Sequence, residues 1–367
     1  MRLVLSTSVG AWLTTWAPSS PFIPQDWHTS PSPQVQQSSL QVSSQSYSLN
    51  LLSYNAFLRP RVVDALLGFK DLAECRAKPM AQALASAELD VVALQEAQHP
   101  VAMPKLLDGV KDTYGFRIDG EPSAFAWADS RPVNGGNAIL SRYPIERWYV
   151  EPYRYCSGED CLARKGFVHS VVRVAADFKV NIIGTHLNSG NSALAKAMRR
   201  KQFAQLRKYL ERADRFGSWP IVLLGDLNVD SGPQTDFVEY TAMVETLSVA
   251  RLGSPTDSFH DATRTGTQQQ LASSRNCTDS RVVPCRSPND AAFATEQRRL
   301  DYVLFWSSPR YEVSVDALDM LEYPDRDCGT RYLSDHKAPF ARLVFHKRQG
   351  PVQRHLAHAV VAIDQLR

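Results

Sequence analysis

Short apolar runs recur along this chain, and four of them stop at polar groups. LLSY runs into Asn55, VVAL into Gln95 and Glu96, IIGT into His186, and IVLLG into Asp226 and, two residues on, Asn228. Such runs read as buried strands rather than amphipathic helices. The pattern predicts strands over 48–55, 90–96 and 221–228. Four more are predicted between 136 and 187, with Asp177 marking the turn of the last pair. Helical spacing covers about 62–88, which Pro79 should split, and 104–114. A longer helix is predicted over 192–216. Ser192 is its N-cap, Leu194, Met198, Phe203, Leu206 and Leu210 are its apolar stripe, and Lys196, Arg199, Arg200, Lys201, Arg207, Lys208 and Arg212 its basic face. That basic face reads as solvated, or as a surface for phosphate. A helix near 236–247 and a polar loop over 251–296 follow, and strands RLDYVLFW, YEVSVDAL and KAPFARLVFH close the pattern. Strands outnumber helices and helices fall between strands. Two packed sheets with helices outside satisfy that order.

Composition adds bounds. The 367 residues are 44% hydrophobic and 22% charged, ordinary for a soluble globular chain with a large core. A net charge of +3 argues against nucleic-acid binding by bulk charge, although a local basic patch stays open. No apolar stretch approaches the roughly 20 residues of a spanning helix, so membrane contact should be peripheral. Residues 1–47 read as a leader or linker. A mildly apolar start resembles a weak signal peptide, and the Pro, Ser and Gln content of 18–47 predicts disorder. The folded domain is expected over 48–347, with a tail over 348–367. The six cysteines include the close pairs Cys156/Cys161 and Cys277/Cys285, which permit disulfides in a secreted or periplasmic protein; free thiols in the cytoplasm are the alternative.

If the predicted strands lie side by side, their polar ends gather on one rim. Two histidines, several carboxylates and two amides on a rim suit metal-assisted cleavage of a phosphodiester. A hard cation offsets phosphoryl charge, and an imidazole accepts a proton from water near neutral pH. Glu96 and Asn55 fit the cation, and His336 fits the base. His99, His169 and His260 read as structural. Trp148, Tyr149, Tyr153 and Tyr155 are either an interfacial patch or cross-strand core.

The ordered set Asn55, QE96, GTH186LN, GD226LN228, LD301Y and SD335H336 resembles the endonuclease/exonuclease/phosphatase superfamily, also called DNase I-like, over about 48–346. The resemblance implies an α+β, four-layer α/β/β/α sandwich. It also implies a Mg²⁺-dependent phosphoric diester hydrolase, with Mn²⁺ or another divalent cation possible. Its roles would be His336 as base oriented by Asp301, and Asp226 and Asn228 positioning water and phosphate. His186 would stabilise charge or protonate the leaving group, and Asp335 would contact metal or water. The segment EDCLARKGFVHSVV further resembles neutral and bacterial sphingomyelinases, with Asp160 and Lys165 matching an Asp and Lys expected to bind substrate. That likeness implies a phospholipid substrate at a membrane surface, hydrolysed to ceramide and phosphocholine by a monomer. A DNase I-like endonuclease acting on nucleic acid, another phosphoesterase and a catalytically dead binding protein are the alternatives. Leu224 stands where inositol phosphatases favour tryptophan.

Overall fold

Alternate residues of a strand face opposite sides, and here both sides are apolar. Leu51 and Val91 point one way, Leu52 and Val92 the other, and each pair enters a different core. Both faces of each sheet are therefore covered. The computed structural model describes residues 28–29, 45–67, 72–119, 131–212, 215–232, 235, 237–259, 298–330 and 332–349. One sheet has seven strands in the order β1 (His28–Thr29), β6 (Ile145–Pro152), β7 (Gly166–Ala175), β8 (Phe178–His186), β9 (Ile221–Asp226), β11 (Asp301–Trp306), β10 (Thr256–Asp257). The other has six, in the order β12 (Tyr311–Leu321), β13 (Ala338–Lys347), β2 (Ser46–Leu58), β3 (Val91–Ala97), β5 (Ala138–Ser141), β4 (Phe116–Ile118).

Between the sheets lie Leu51, Ala93 and Ile139 from one, and Val168, Ile182, Val222, Leu224 and Val303 from the other. Gly184 keeps this layer tight, because a Cβ there would meet Ile139 Cδ1 at 2.8 Å. Outside the six-stranded sheet, Leu52, Tyr54, Val92 and Leu94 pack on α2 (Ala73–Ser86) and α3 (Ala102–Gly109). Outside the seven-stranded sheet, Ile183, Leu223 and Tyr302 pack on α4 (Ala193–Leu210) and α5 (Val238–Leu247). The architecture is the expected four-layer α/β/β/α sandwich.

Two local expectations change. Pro79 does not split its helix. It sits inside α2, where burial of Ala77, Met80, Ala81 and Leu84 outweighs the lost backbone bond, and the short α1 (Arg61–Leu67) is separate. The basic face of α4 is not uniformly solvated. Arg199 is fully buried, its guanidinium paired with Glu239 at 2.8 and 2.9 Å and bonded to the carbonyls of Asn188 and Gly190. Ser192 caps α4 as expected, accepting from the Ala195 amide at 3.1 Å.

Of the aromatic cluster, Tyr149 and Tyr153 are core, Trp148 packs against it partly buried, and Tyr155 stays half-buried with Lys201 Nζ 4.7 Å from its ring centre. Tyr149 stacks on Tyr209, and the Tyr153 hydroxyl meets Thr185 Oγ1 at 2.8 Å. His169 is buried between Tyr209 and Asn181, and His99 Nδ1 accepts the Val101 and Ala102 amides at the start of α3. Disulfides join Cys75 to Cys328 and Cys156 to Cys161. Most of the expected leader, the end of the tail, His260, Cys277 and Cys285 lie outside the described residues. So does most of the long polar loop. Within the expected leader, His28 and Thr29 pair with β6 as a strand. No helix among the described residues is long and apolar enough to cross a membrane.

Candidate active site at the strand ends

Sheet register brings three polar residues into one row. β8 and β9 are parallel with His186 opposite Asp226, and β9 and β11 are antiparallel with Asp226 opposite Asp301. Asp226 lies two residues beyond Leu224, and Asp301 two before Val303. Both side chains therefore face the other sheet, as their inter-sheet neighbours do. From that sheet β2 and β3 deliver Asn55 and Glu96. Asn55 Nδ2 donates to Asp226 Oδ2 at 3.0 Å and lies 3.3 Å from Glu96 Oε1, so one amide ties carboxylates of both sheets together.

Strict alternation would send the Glu96 side chain toward the helix layer. Its backbone instead adopts φ 51°, which re-aims the carboxylate. Phe57 (φ 52°) and Asn228 (φ 54°) share this left-handed conformation, costly for residues with a Cβ. Gly136 supports the turn, at φ 68° and so close that a Cβ would lie 3.1 Å from Glu96 Cα. Strained residues thus collect at the ends of the strands that build the rim.

His336 arrives on the loop before β13. Its Nδ1 bonds Asp301 Oδ2 at 2.7 Å, and its Nε2 lies 3.8 Å from Asp226 Oδ2. Ser334 fixes the loop, donating to the Asn55 carbonyl at 2.5 Å and accepting the His336 amide at 3.1 Å. Burial lowers the His336 pKa, but Asp301, Asp335 and Asp226 together outweigh it and push it up to about 9. Asp226 is raised to about 6, first by burial and then by the Asp301 charge. Arg299 and Arg298 do not neutralise Asp301; they pair with Asp257 and Asp230.

His186 has the opposite surroundings. Lys165 Nζ lies 2.9 Å from its Nε2, 2.6 Å from Asp160 Oδ1 and 3.1 Å from the Leu187 carbonyl. Burial, then Lys165, then His336 hold the His186 pKa well below 6.5. The ring is neutral. With Nε2 accepting from the lysine, its proton sits on Nδ1, which has no hydrogen-bond partner among the described residues. Asp160 in turn accepts the Ser189 amide and hydroxyl. Lys165 was expected to meet phosphate directly, yet its three protons are taken by protein acceptors. Asn228 donates from Nδ2 to the Leu187 carbonyl at 3.0 Å, and its amide donates to Asp226 Oδ1.

The residue types read as one site therefore converge, with two differences in detail. Asp335 is buried, and its electrostatic neighbours are Arg76, Tyr54 and His336. Asn55 turns its oxygen to the Phe57 amide at 3.1 Å and its nitrogen to the carboxylates. The donor atoms that cluster within 4.8 Å are those of Asp226, Asp301 and His336. Glu96 fits a hard cation better, because its Oε2 is buried without a hydrogen bond while Oε1 is held by Asn55.

The sequence pattern of the endonuclease/exonuclease/phosphatase family matches residues 52–336, from β2 to the loop of His336. The chain belongs to this family. Within it, the chain is 28% identical over 198 residues to sphingomyelinase C of Bacillus cereus, covering 50% of this chain and 58% of that protein. The crystal structure of sphingomyelinase C from Streptomyces griseocarneus superposes with a TM-score of 0.58 at 25% identity, over 81% of this chain and 99% of that one. Beta toxin of Staphylococcus aureus, in a structure with bound magnesium ions, shares the family fold with a TM-score of 0.57 at 20% identity. That match covers 80% of this chain and 99% of the toxin.

Reading the sequence missed the arginines that hold the site. Arg199 sits four residues before Phe203 and seven before Leu206, on the apolar stripe of its helix. That spacing was the available signal. Arg76, which bonds the carbonyls of Phe57 and Leu333, gave no comparable signal.

Proposed function

We propose that this protein is a divalent-cation-dependent phosphodiesterase that hydrolyses sphingomyelin, or a related choline phospholipid, to ceramide and phosphocholine outside the cytoplasm. The observation that carries the reaction class is the Asp301–His336 pair in register with Asp226 and opposite Glu96. The likeness to sphingomyelinase C favours sphingomyelin as substrate, the likeness to beta toxin with its bound magnesium ions favours Mg²⁺ as cation, and the disulfides favour an oxidising compartment.

In this reading His336 Nε2 takes a proton from the attacking water as the new P–O bond forms. Asp301 holds Nδ1, fixing the ring and stabilising the imidazolium that results. Asp226, fastened by Asn55 and Asn228, orients the water. His186, its Nε2 2.9 Å from Lys165 Nζ and 3.6 Å from Asp226 Oδ2, would stabilise the negative charge that grows on the phosphoryl or leaving oxygen, with Lys165 behind it. Lys165 acts through His186, supplying charge and fixing the tautomer. Glu96 would hold the cation, which would polarise the phosphoryl group, stabilise the departing alkoxide and offset the carboxylate field that favours protonated His336.

The test is to incubate the protein with sphingomyelin liposomes, and separately with plasmid DNA, each with Mg²⁺ or with chelator, beside His336→Ala. The expected result is chelator-sensitive phosphocholine release that the variant lacks. DNA nicking without phosphocholine release would replace the lipid reading with a nuclease. Phosphocholine release by folded His336→Ala at the native rate would remove the proposed base.

A further inference from the structure

β2 does not simply end at the site. Its register against β3 shifts between Asn55 and Leu58, and Phe57 bulges out in the left-handed conformation. The bulge turns the chain so that Arg59 comes back toward β3. Pro60 then starts α1, its carbonyl accepting the Val63 and Asp64 amides at 2.8 and 3.1 Å, and this first turn brings Asp64 back onto Arg59.

The guanidinium lies between two carboxylates. Its Nη2 is 2.7 Å from Asp64 Oδ1, and its Nε is 3.8 Å from Glu96 Oε2. The Phe57 ring supports it from one face, 4.2 Å from Cζ. Asp64 is almost fully buried, whereas Arg59 and Glu96 keep side-chain exposures of 14% and 18%. A close pair thus stands beside a wider one, and the wider one involves the carboxylate assigned to the cation. Arginine stays charged at every working pH. A guanidinium free to close the remaining gap would occupy Glu96 and repel a divalent ion.

We propose that Asp64 and Arg59 form a charge gate on Glu96. Asp64 draws the guanidinium off the carboxylate, and the balance between the two pairs sets the affinity for the cation. Arg59 and Asp64 are positioning residues here, and neither touches substrate. The proposal rests on the reading of Glu96 as the cation's carboxylate.

Calorimetric titration of the full chain with Mg²⁺ and Mn²⁺, with metal-induced thermal stabilisation as a second readout, tests it in four proteins. The parent is compared with Asp64→Asn, Arg59→Ala and the double variant, after near-ultraviolet circular dichroism in chelator establishes that each is folded. Asp64→Asn should weaken cation binding on the order of tenfold, and adding Arg59→Ala should restore it. Arg59→Ala alone should bind at least as tightly as the parent, and this arm decides the matter if Asp64→Asn does not fold. Unchanged affinity in Asp64→Asn, persistent weakness in the double variant, or weaker binding in Arg59→Ala would overturn the gate while leaving the metal-dependent reaction standing. A parent that binds neither cation would remove Glu96 as a metal carboxylate, and the gate with it.

Discussion

His186 and His336 flank the same Asp226 oxygen, at 3.6 and 3.8 Å, and are driven in opposite directions. Burial alone lowers both, but Lys165 adds to that effect at His186, whereas Asp301, Asp335 and Asp226 reverse it at His336. The second shift has a consequence for stability in the metal-free protein. The His336 pKa rises from 6.5 to about 9 on folding, so the folded state binds the extra proton across that interval. Its stabilising contribution is complete below pH 6.5 and disappears as the pH climbs through 9. Asp226, raised to about 6, acts in a lower window, where stability falls between its ordinary carboxylate range and pH 6. Urea unfolding in chelator at pH 6, 7.5 and 9 should therefore show the gap between the native protein and His336→Gln narrowing as pH rises. A gap that stays constant would mean that the ring carries no extra proton in the folded chain.

Secondary-structure elements carry the next level of organisation, and here the sequence was readable to a definite depth. His186 and Asp226 end their strands, and Asn55 and Glu96 fall within the last four residues of theirs; these positions were legible because an apolar run that stops at a polar group marks the edge of burial in any context. The bulge at Phe57, the turned Glu96 and the partners of the buried arginines were not, because each depends on residues far away in sequence. Arg199 meets Glu239, and Arg76 meets Leu333. Arg76 makes α2 a clamp, its two Nη atoms bonding the carbonyls of Phe57, after Asn55, and Leu333, before His336. Replacing it with methionine keeps the volume and leaves two buried acceptors unmet, each worth about 1–3 kcal/mol. Arg76→Met should lose about 2–6 kcal/mol in urea unfolding, and Arg76→Lys should recover only part, since an ammonium lacks the planar fork. Losses below 0.5 kcal/mol in Arg76→Met would show that the two loops stand without the clamp.

At the scale of the whole molecule, the site takes Asn55 from β2 and His336 from the loop before β13, so its geometry depends on how firmly the first and last parts of the folded chain are held together. β13 is hydrogen-bonded to β2, and the Ser334 hydroxyl reaches the Asn55 carbonyl. The Cys75–Cys328 bridge adds a covalent link between the same regions, joining α2 to the segment that leads to His336 across 253 residues of sequence. Cys156–Cys161 closes a loop with a separation of only 5 beside Asp160. Chain entropy lost by the unfolded state grows with loop length, and it assigns about 5 kcal/mol to the long bridge and about 2 kcal/mol to the short one. The paired variant Cys75→Ser with Cys328→Ser should therefore lose more thermal stability than Cys156→Ser with Cys161→Ser. The long-bridge variant should also lose turnover at temperatures below its own melting point, because the tether lies next to the loop of the base. Differential scanning calorimetry and phosphocholine release at two temperatures would measure both effects. If the short bridge proves the costlier to remove, the first and last parts of the folded chain are held by the β2–β13 ladder and by packing, and the long bridge is a surplus tie.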